Sequence, residues 1–489
     1  MKNFRTYVER LPSVEKPKRH VHFREKFLWT SVILLLYFFL CNVPIFGLSP
    51  ESIDIFAAYR ALFAGASGSI LALGIAPIVT AGIVLQLLVG AGIIKLDLTN
   101  PEDRATYQQL QRLLVILMIL VEAAAQIGGR MLLPDKNLAE VLGVSLSVIS
   151  FLIFVQLVIG GFLIVYMDEV VSKWGIGSGV SLFILASVSQ AIMVGLFNWI
   201  TPPNSELPAG IFPRLFYIAT NYPADFLLSG DGLIYLMVEG GILALITTIF
   251  IIILVIFFEG TRIEVPLAHA AVRGVRARFP IKLIYASVLP MIFVRAFQIT
   301  IVSFGAMLYY RGITIFGDYV EGVPVSGIMF YLSPINGPHD WVPSLFKARG
   351  AAFAAVPDWA ILLHLILDAT ILILGGIIFS IFWVQTSGMD ARTVASQIAR
   401  SGLRIPGFRK NPIVLERLFE RYIPKTTVIG GALIGFLTLV ASMLGTVGGV
   451  GGTGLLLAVS ISYRFYEQLL REQVAEMHPL IRRMLGESV

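Results

Sequence analysis

Residues 53–74 read IDIFAAYRALFAGASGSILALG, an apolar stretch whose glycines and serines interrupt it before it could cross a bilayer. It carries Arg60, and its apolar side chains recur at helical spacing on one face. This pattern predicts a short half-helix, from about Ile55 to Ala66, that dips inward from the outer side of a membrane. Half-helices at membrane depth occur only inside protein or against a water-filled cavity. The stretch therefore predicts a membrane protein with an internal cavity.

The composition places most of the chain in lipid. Of 489 residues, 56% are hydrophobic and 14% are charged, and the mean hydropathy is +0.82. Charge is too scarce to solvate a globule of this size. The single cysteine, Cys41, excludes an intramolecular disulfide and a CxxC metal or redox site. The apolar run Phe27–Phe46 lacks a cleavage site of small residues, which favours a first span over a removed signal peptide.

Hydropathy windows of about 19 residues predict an all-α integral membrane protein. Ten spans are expected near 28–47, 72–93, 108–128, 143–167, 178–200, 233–258, 284–305, 359–385, 425–444 and 452–471. An even number puts both termini on one side. Lys and Arg divide 29 to 7 between the two sides, with Arg295 inside a span. This asymmetry predicts that both termini are cytoplasmic.

Two spans contain helix-breaking residues where a lipid-facing helix would prefer leucine. These are Pro77 in the second span and Pro290 in the seventh. Helix contacts alone explain such residues in many membrane proteins. Their comparable positions in two sets of five spans nevertheless indicate an inverted repeat, with a site between the halves.

Charged residues within spans are functional hypotheses by default. The sequence has Glu122 in span three, Arg295 in span seven, and Asp368 in span eight with His364 one turn before it. Because Arg295 and Asp368 lie at similar depth on successive antiparallel helices, we expect a buried ion pair between them. A proton or solute relay remains the alternative.

Motifs of enzymes are missing from the sequence. It contains no HExxH, no GxSxG and no aspartate-containing glycine motif of intramembrane aspartyl proteases. The glycine-rich runs 175–179 and 448–454 lack the lysine of a phosphate-binding loop. We therefore expect no enzymatic activity and no cofactor. A pore and a secondary transporter for a small solute both remain, since transporters also have inverted repeats and broken helices.

Five stretches carry a family resemblance: residues 73–82 (LGIAPIVTAG), 168–179 (DEVVSKWGIGSG), 266–274 (PLAHAAVRG), 278–282 (RFPIK) and 463–472 (YRFYEQLLRE). They are similar to the SecY family, the central subunit of the Sec protein-translocation channel, and most of all to its archaeal type. With ten spans in the family's order, the resemblance covers essentially the whole chain. It implies two pseudo-symmetric halves of five transmembrane helices around a central pore, with a short half-helix plug.

The resemblance implies three sites within the membrane. The pore ring, which is wholly aliphatic and so neither holds a passing chain nor welcomes ions, comprises Ile75, Val79, Val180, Ile184, Ile292 and Leu457. The plug includes Ile55, Tyr59, Arg60, Leu62 and Phe63. The polar residues of a lateral gate into lipid are Thr80, Glu122, Gln298 and Thr300, and Arg295 departs from the family pattern.

Two cytoplasmic loops are unusually basic. Their residue types suit an anionic partner such as RNA or lipid headgroups, and the general inside-positive bias of membrane-protein loops is the alternative explanation. The resemblance implies that they dock the ribosome through Arg273, Arg276, Arg278, Arg404, Arg409 and Lys410. It also implies a heterotrimer with small single-span Sec subunits (SecE-like and beta-type), and contact with signal sequences, nascent polypeptides and the lipid bilayer.

The expected organisation has four parts. A cytoplasmic basic arm covers 1–27, the first half covers 28–205 with the plug near 55–66, the second half covers 206–471 with cytoplasmic loops near 259–283 and 386–424, and a cytoplasmic tail covers 472–489. The expected function is a protein-conducting channel in the plasma membrane, which passes secretory polypeptides across and releases apolar helices sideways into lipid.

Overall fold

The computed structural model describes residues 13–19, 21–50, 52, 60–94, 96, 100–129, 131–202, 206–269, 276–286, 288–320, 322–342, 353, 356–400, 403–404 and 412–477. Helices dominate these residues. In chain order they are α1 (Phe23–Cys41), α2 (Arg60–Phe63), α3 (Ala76–Gly90), α4 (Pro101–Gly128), α5 (Lys136–Leu142), α6 (Leu146–Trp174), α7 (Gly179–Phe197), α8 (Ile211–Asn221), α9 (Ala224–Leu227), α10 (Gly230–Val238), α11 (Ile242–Gly260), α12 (Leu289–Tyr310), α13 (Gly327–Leu332), α14 (Asp358–Thr386), α15 (Ala391–Arg400), α16 (Pro412–Leu444) and α17 (Gly451–Met477).

The strands are short and few among the described residues. They are β1 (Arg262–His269), β2 (Arg276–Lys282), β3 (Tyr319–Val320), β4 (Val323–Pro324) and β5 (Leu403–Arg404), and single 3-10 turns lie at Pro338–Asp340 and Val447–Gly449. β3 and β4 form a small antiparallel pair, and the other three strands form one sheet.

The helices confirm an all-α membrane fold. Every predicted span overlaps a long helix: α1, α3, α4, α6, α7, α11, α12, α14, α16 and α17. Within the described part of the chain, seven of these are long and apolar enough to cross a bilayer: α4, α6, α7, α11, α12, α14 and α16. α3 is apolar but has only 15 residues. The total of ten spans stays a prediction.

The predicted sixth span, near 233–258, is wrong at its start. The structure divides this stretch into α10, which ends at Val238, and α11, which begins at Ile242. Gly241 between them has a φ of 81°, in the left-handed region that side chains with a Cβ disfavour. A hydropathy window averages over such a break, and so α11 alone forms the span.

The ninth predicted span, near 425–444, begins much earlier than expected. α16 starts at Pro412 and continues through Pro424, although an internal proline removes one helical hydrogen bond. Leu415, Phe419 and Ile423 lie on its additional turns and are buried in a separate apolar cluster. Burial of this amphipathic face therefore stabilises a helix that hydropathy alone does not extend.

The predicted cytoplasmic loop near 259–283 contains a β-hairpin. β1 and β2 are antiparallel, with Arg262 opposite Lys282. Their alternate apolar residues, among them Val265 and Ile281, pack into the same cluster as Phe419, as expected for strands with one buried face. The alternation of apolar and polar residues along each strand is the sequence signal that predicts this hairpin. The basic residues of the same stretch obscure that signal.

Candidate functional site

The six aliphatic residues of the predicted pore ring share one buried apolar environment in the described structure. Five of them belong to one buried core cluster, each no more than 5% exposed, and the sixth, Val180, packs against that cluster. They are Ile75 and Val79 at the start of α3, Val180 and Ile184 at the start of α7, Ile292 in α12 and Leu457 in α17. The six side chains thus share one apolar core and none offers a hydrogen-bonding group; their role as the ring of a pore stays a prediction.

The short helix α2 packs into the same apolar cluster as the predicted ring residues. Leu62 and Phe63 are buried in the same core cluster as the ring residues, and the Ile75 amide donates to the Phe63 carbonyl at 2.8 Å. The chain turns back at Gly74, whose φ is +53°. A Cβ there would lie 2.2 Å from the Phe63 oxygen, so only glycine allows the two segments to approach this closely.

Further hydrogen bonds hold the α2 segment in place. The Arg60 guanidinium donates to the Ala72 carbonyl at 2.8 Å, and the Tyr37 hydroxyl donates to the Ala64 carbonyl at 3.1 Å. Of the predicted plug residues, Arg60, Leu62 and Phe63 lie in α2, whereas Ile55 and Tyr59 lie outside the described residues.

A cavity of about 430 Å3 lies between α3 and α4 on one side and α12 on the other. Its lining is mainly apolar and includes Thr80, Glu122 and Thr300 of the predicted gate. The Thr80 hydroxyl donates to the Glu122 carboxylate at 2.6 Å. Arg60 and Phe63 also line the cavity, which therefore extends to the level of α2.

Gln298, the remaining predicted gate residue, has a different environment. Its side chain is 3% exposed, and its amide donates to the Asp368 carboxylate at 2.9 Å. Arg295 and Asp368 form the expected buried ion pair, also at 2.9 Å. This confirms the predicted pairing. His364 contacts the Ser333 carbonyl at 2.7 Å through Nε2.

Sequence reasoning missed two further partners of Arg295. Its Nε donates to the Thr453 hydroxyl and one terminal nitrogen to the Ser442 hydroxyl, each at 3.3 Å. The sequence signal for these contacts is a small hydroxyl residue in an otherwise apolar span. Such residues are too common in membrane helices to identify Ser442 and Thr453 as partners of Arg295.

Parts of the two basic loops meet in one sheet. Ala268 of β1 lies opposite Arg276 of β2 on one side and opposite Arg404 of β5 on the other. Arg278 pairs with Glu264 across the hairpin and is exposed. Arg273, Arg409 and Lys410 lie outside the described residues.

Comparison with known proteins gives one consistent family. Residues 69–466 match the family described as SecY, and residues 35–68 match the plug domain of Sec61p. The protein translocase subunit SecY of Archaeoglobus fulgidus is 72% identical over 482 residues, covering 99% of this chain and 98% of the relative. That of Methanocaldococcus jannaschii is 37% identical over 490 residues, covering the whole of both chains.

Solved structures agree with this result. The structure described as that of a protein conducting channel has a TM-score of 0.79 and 37% identity, covering 97% of this chain and 98% of the other. Sec61 in the canine ribosome-channel complex from the endoplasmic reticulum has a TM-score of 0.76 and 36% identity, with the same coverage.

Proposed function

The chain belongs to the SecY family, and we propose that it is the central subunit of a channel that conducts unfolded polypeptide across a membrane. One observation carries the proposal: the six aliphatic side chains of the predicted ring lie in or against one apolar cluster with Leu62 and Phe63 of α2, and a cavity lies between α3, α4 and α12. We take these six side chains as the constriction of the channel. In this function the chain acts as a passage rather than an enzyme, so the energy for transport comes from a partner.

The side chains of the constriction suit a passing polypeptide. Aliphatic groups make no hydrogen bonds to a peptide backbone, so successive residues slide past without a favoured stopping point. When the passage is empty, such a ring excludes water and therefore ions. A transporter for a small solute would need polar groups that converge at the constriction to bind it, and the six side chains supply none.

Two neighbouring features complete the mechanism. The α2 segment fills the passage at rest, and displacing it requires breaking the Ile75 to Phe63 hydrogen bond. The cavity between α3, α4 and α12 is the seam through which an apolar signal sequence or membrane helix passes into lipid. Thr80 and Glu122 are the polar latch on the first-half side of this seam, facing Thr300.

The surroundings of the channel follow from the same proposal. We place the chain in the plasma membrane with both termini cytoplasmic, and with residues 28–205 and 206–471 as its two halves. The Sec61 relative is known in a ribosome-channel complex. We infer that the sheet built from β1, β2 and β5, with the basic loops that it joins, docks the ribosome here, and that small single-span Sec subunits complete a heterotrimer.

Crosslinking tests the conducting role. In a Cys41→Ser background, cysteine is introduced at Ile75 or at Leu457, and a secretory chain carrying one cysteine is arrested on the ribosome. Both positions should crosslink to the arrested chain. Ile149→Cys is the matched control, because Ile149 is equally buried but belongs to a different apolar cluster. Absence of crosslinks at both constriction positions would refute the channel assignment.

A further inference from the structure

We propose that the Arg295–Asp368 ion pair is a positioning hub that holds the second-half wall of the constriction closed. The hub comprises Arg295, Gln298, Asp368, Ser442 and Thr453. The inference rests on the proposed function, because it gives these residues a role in sealing the pore. It also accounts for a charge pair whose burial would be costly if it served only to stabilise the fold.

A single guanidinium connects four long helices. From α12, Arg295 bonds Asp368 of α14 at 2.9 Å, Ser442 of α16 at 3.3 Å and Thr453 of α17 at 3.3 Å. It also bonds Gln298 of its own helix at 2.8 Å. Because the guanidinium is planar and its donors point in fixed directions, these contacts fix how the four helices lie relative to one another.

The hub lies one helical turn from both second-half ring residues. Ile292 precedes Arg295 by three positions in α12, and Leu457 follows Thr453 by four positions in α17. Residues at these separations share a helix face. The Arg295–Thr453 hydrogen bond therefore sets the relative height and rotation of the two side chains that form the second-half wall.

The outer segment 333–341 covers the hub. Ile335 is fully buried, and its amide approaches the second Asp368 oxygen at 3.5 Å. The Trp341 indole donates to the Met443 carbonyl at 2.8 Å, which ties this segment to the outer end of α16. By excluding water, the cover lowers the local dielectric and strengthens every charged contact in the hub. This gives the long external connection between α12 and α14 a role.

The two walls of the constriction are consequently held by different contacts. On the first-half side, Ile75 is bonded to the α2 segment through Phe63. On the second-half side, Ile292 and Leu457 are fixed through the hub. Displacement of α2 then frees one wall while the other keeps its shape, so the passage can widen without the second half losing its internal order.

The test separates sealing from folding. The double variant Arg295→Met/Asp368→Leu removes both charges together, since removing one would leave the other buried and unpaired. The purified complex is reconstituted in vesicles without any secretory substrate, and anion leak and thermal unfolding are both measured. We expect a raised leak, with a melting temperature lowered only by the loss of the two Gln298 hydrogen bonds. Wild-type leak in a folded double variant would overturn the hub.

A milder variant decides the question if the double variant fails to fold. Thr453→Val keeps the shape and both charges but removes the link to α17, and the leak should rise about fivefold, the shift expected when one ordinary hydrogen bond is lost from the closed state. Unchanged leak in Thr453→Val would contradict the proposal.

The control removes an ion pair elsewhere. Glu169→Gln/Lys173→Met disrupts the 2.9 Å pair at the end of α6 and should leave the leak unchanged. An equal leak in this control would show a general loss of stability instead of a hub. Because no polypeptide is present, the outcome is independent of the crosslinking test of conduction.

Discussion

Replacing Gly74 by alanine should open the resting channel to ions. A Cβ at this position would lie 2.2 Å from the Phe63 carbonyl oxygen, and the backbone has a φ of +53°. The substituted residue can relax only if the segment carrying Phe63 moves away from Ile75, which breaks the 2.8 Å hydrogen bond between them. The closed state is therefore destabilised relative to a state in which α2 is displaced.

The size of the effect follows from two terms. A left-handed conformation costs an alanine about 1–2 kcal/mol, and loss of the hydrogen bond costs about 1 kcal/mol. Together they raise the free energy of the closed state by about 2–3 kcal/mol. Since about 1.4 kcal/mol corresponds to a factor of ten, the population with α2 displaced should rise about 30- to 140-fold.

The assay is anion leak from vesicles that contain the purified complex without substrate. Gly82→Ala is the matched control, because a Cβ on Gly82 in α3 would meet nothing within 4 Å and alanine favours helix. We expect strong leak for Gly74→Ala and wild-type leak for Gly82→Ala. If Gly74→Ala folds and leaks no more than its control, α2 does not seal the passage through this contact.

Three further predictions concern the gate, the cytoplasmic face and the outer loop. Thr80→Val removes the 2.6 Å bond to the Glu122 carboxyl group, a contact worth about 1 kcal/mol. Export of a reporter with a less apolar signal sequence should increase, and unchanged export would argue against a latch. Arg409→Glu should weaken ribosome binding, measured by cosedimentation, while leaving membrane insertion intact; equal affinity would remove that docking role. Burial raises the pKa of Asp340 in the outer loop, so its contribution to stability is complete below the unfolded pKa of about 4 and is lost as pH rises through the higher folded pKa. Asp340→Asn should remove that part of the pH dependence of the melting temperature, and identical profiles would contradict it.

Hydropathy locates the helices because each membrane span needs a run of about 20 apolar residues. Such a run can be read directly from the sequence. Hydropathy could not place the break before α11, where a single left-handed glycine interrupts an apolar run. Hydropathy also places the start of α16 after Pro424. The burial that extends this helix back to Pro412 comes from contacts with residues distant in sequence, such as Val265 and Ile281.

The sequence predicts the part of the candidate site in which one residue type repeats. It does not predict the part that depends on the direction in which each side chain points. The resemblance identifies six aliphatic residues that lie in or against one buried cluster, and their role as a pore ring stays a prediction. Gln298 was assigned to the gate with Thr300, but two positions on a helix point the side chains in different directions. Gln298 therefore bonds Arg295 and Asp368, while Thr300 lines the cavity. The partners Ser442 and Thr453 depended on how α16 and α17 pack, which no local pattern reveals.

The most direct test of conduction through the constriction is a position scan with Leu457→Cys in the Cys41→Ser background. A single cysteine is moved one residue at a time along the arrested secretory chain. An extended chain advances about 3.3 Å per residue, and the ring residues Ile75 and Val79 are one helical turn apart, about 6 Å along the axis. Only about two or three consecutive positions should therefore crosslink. Lengthening the chain on its ribosomal side should move that window toward the ribosome by the same number of residues. Crosslinks spread evenly along the chain, or a window that does not move, would contradict passage through this ring.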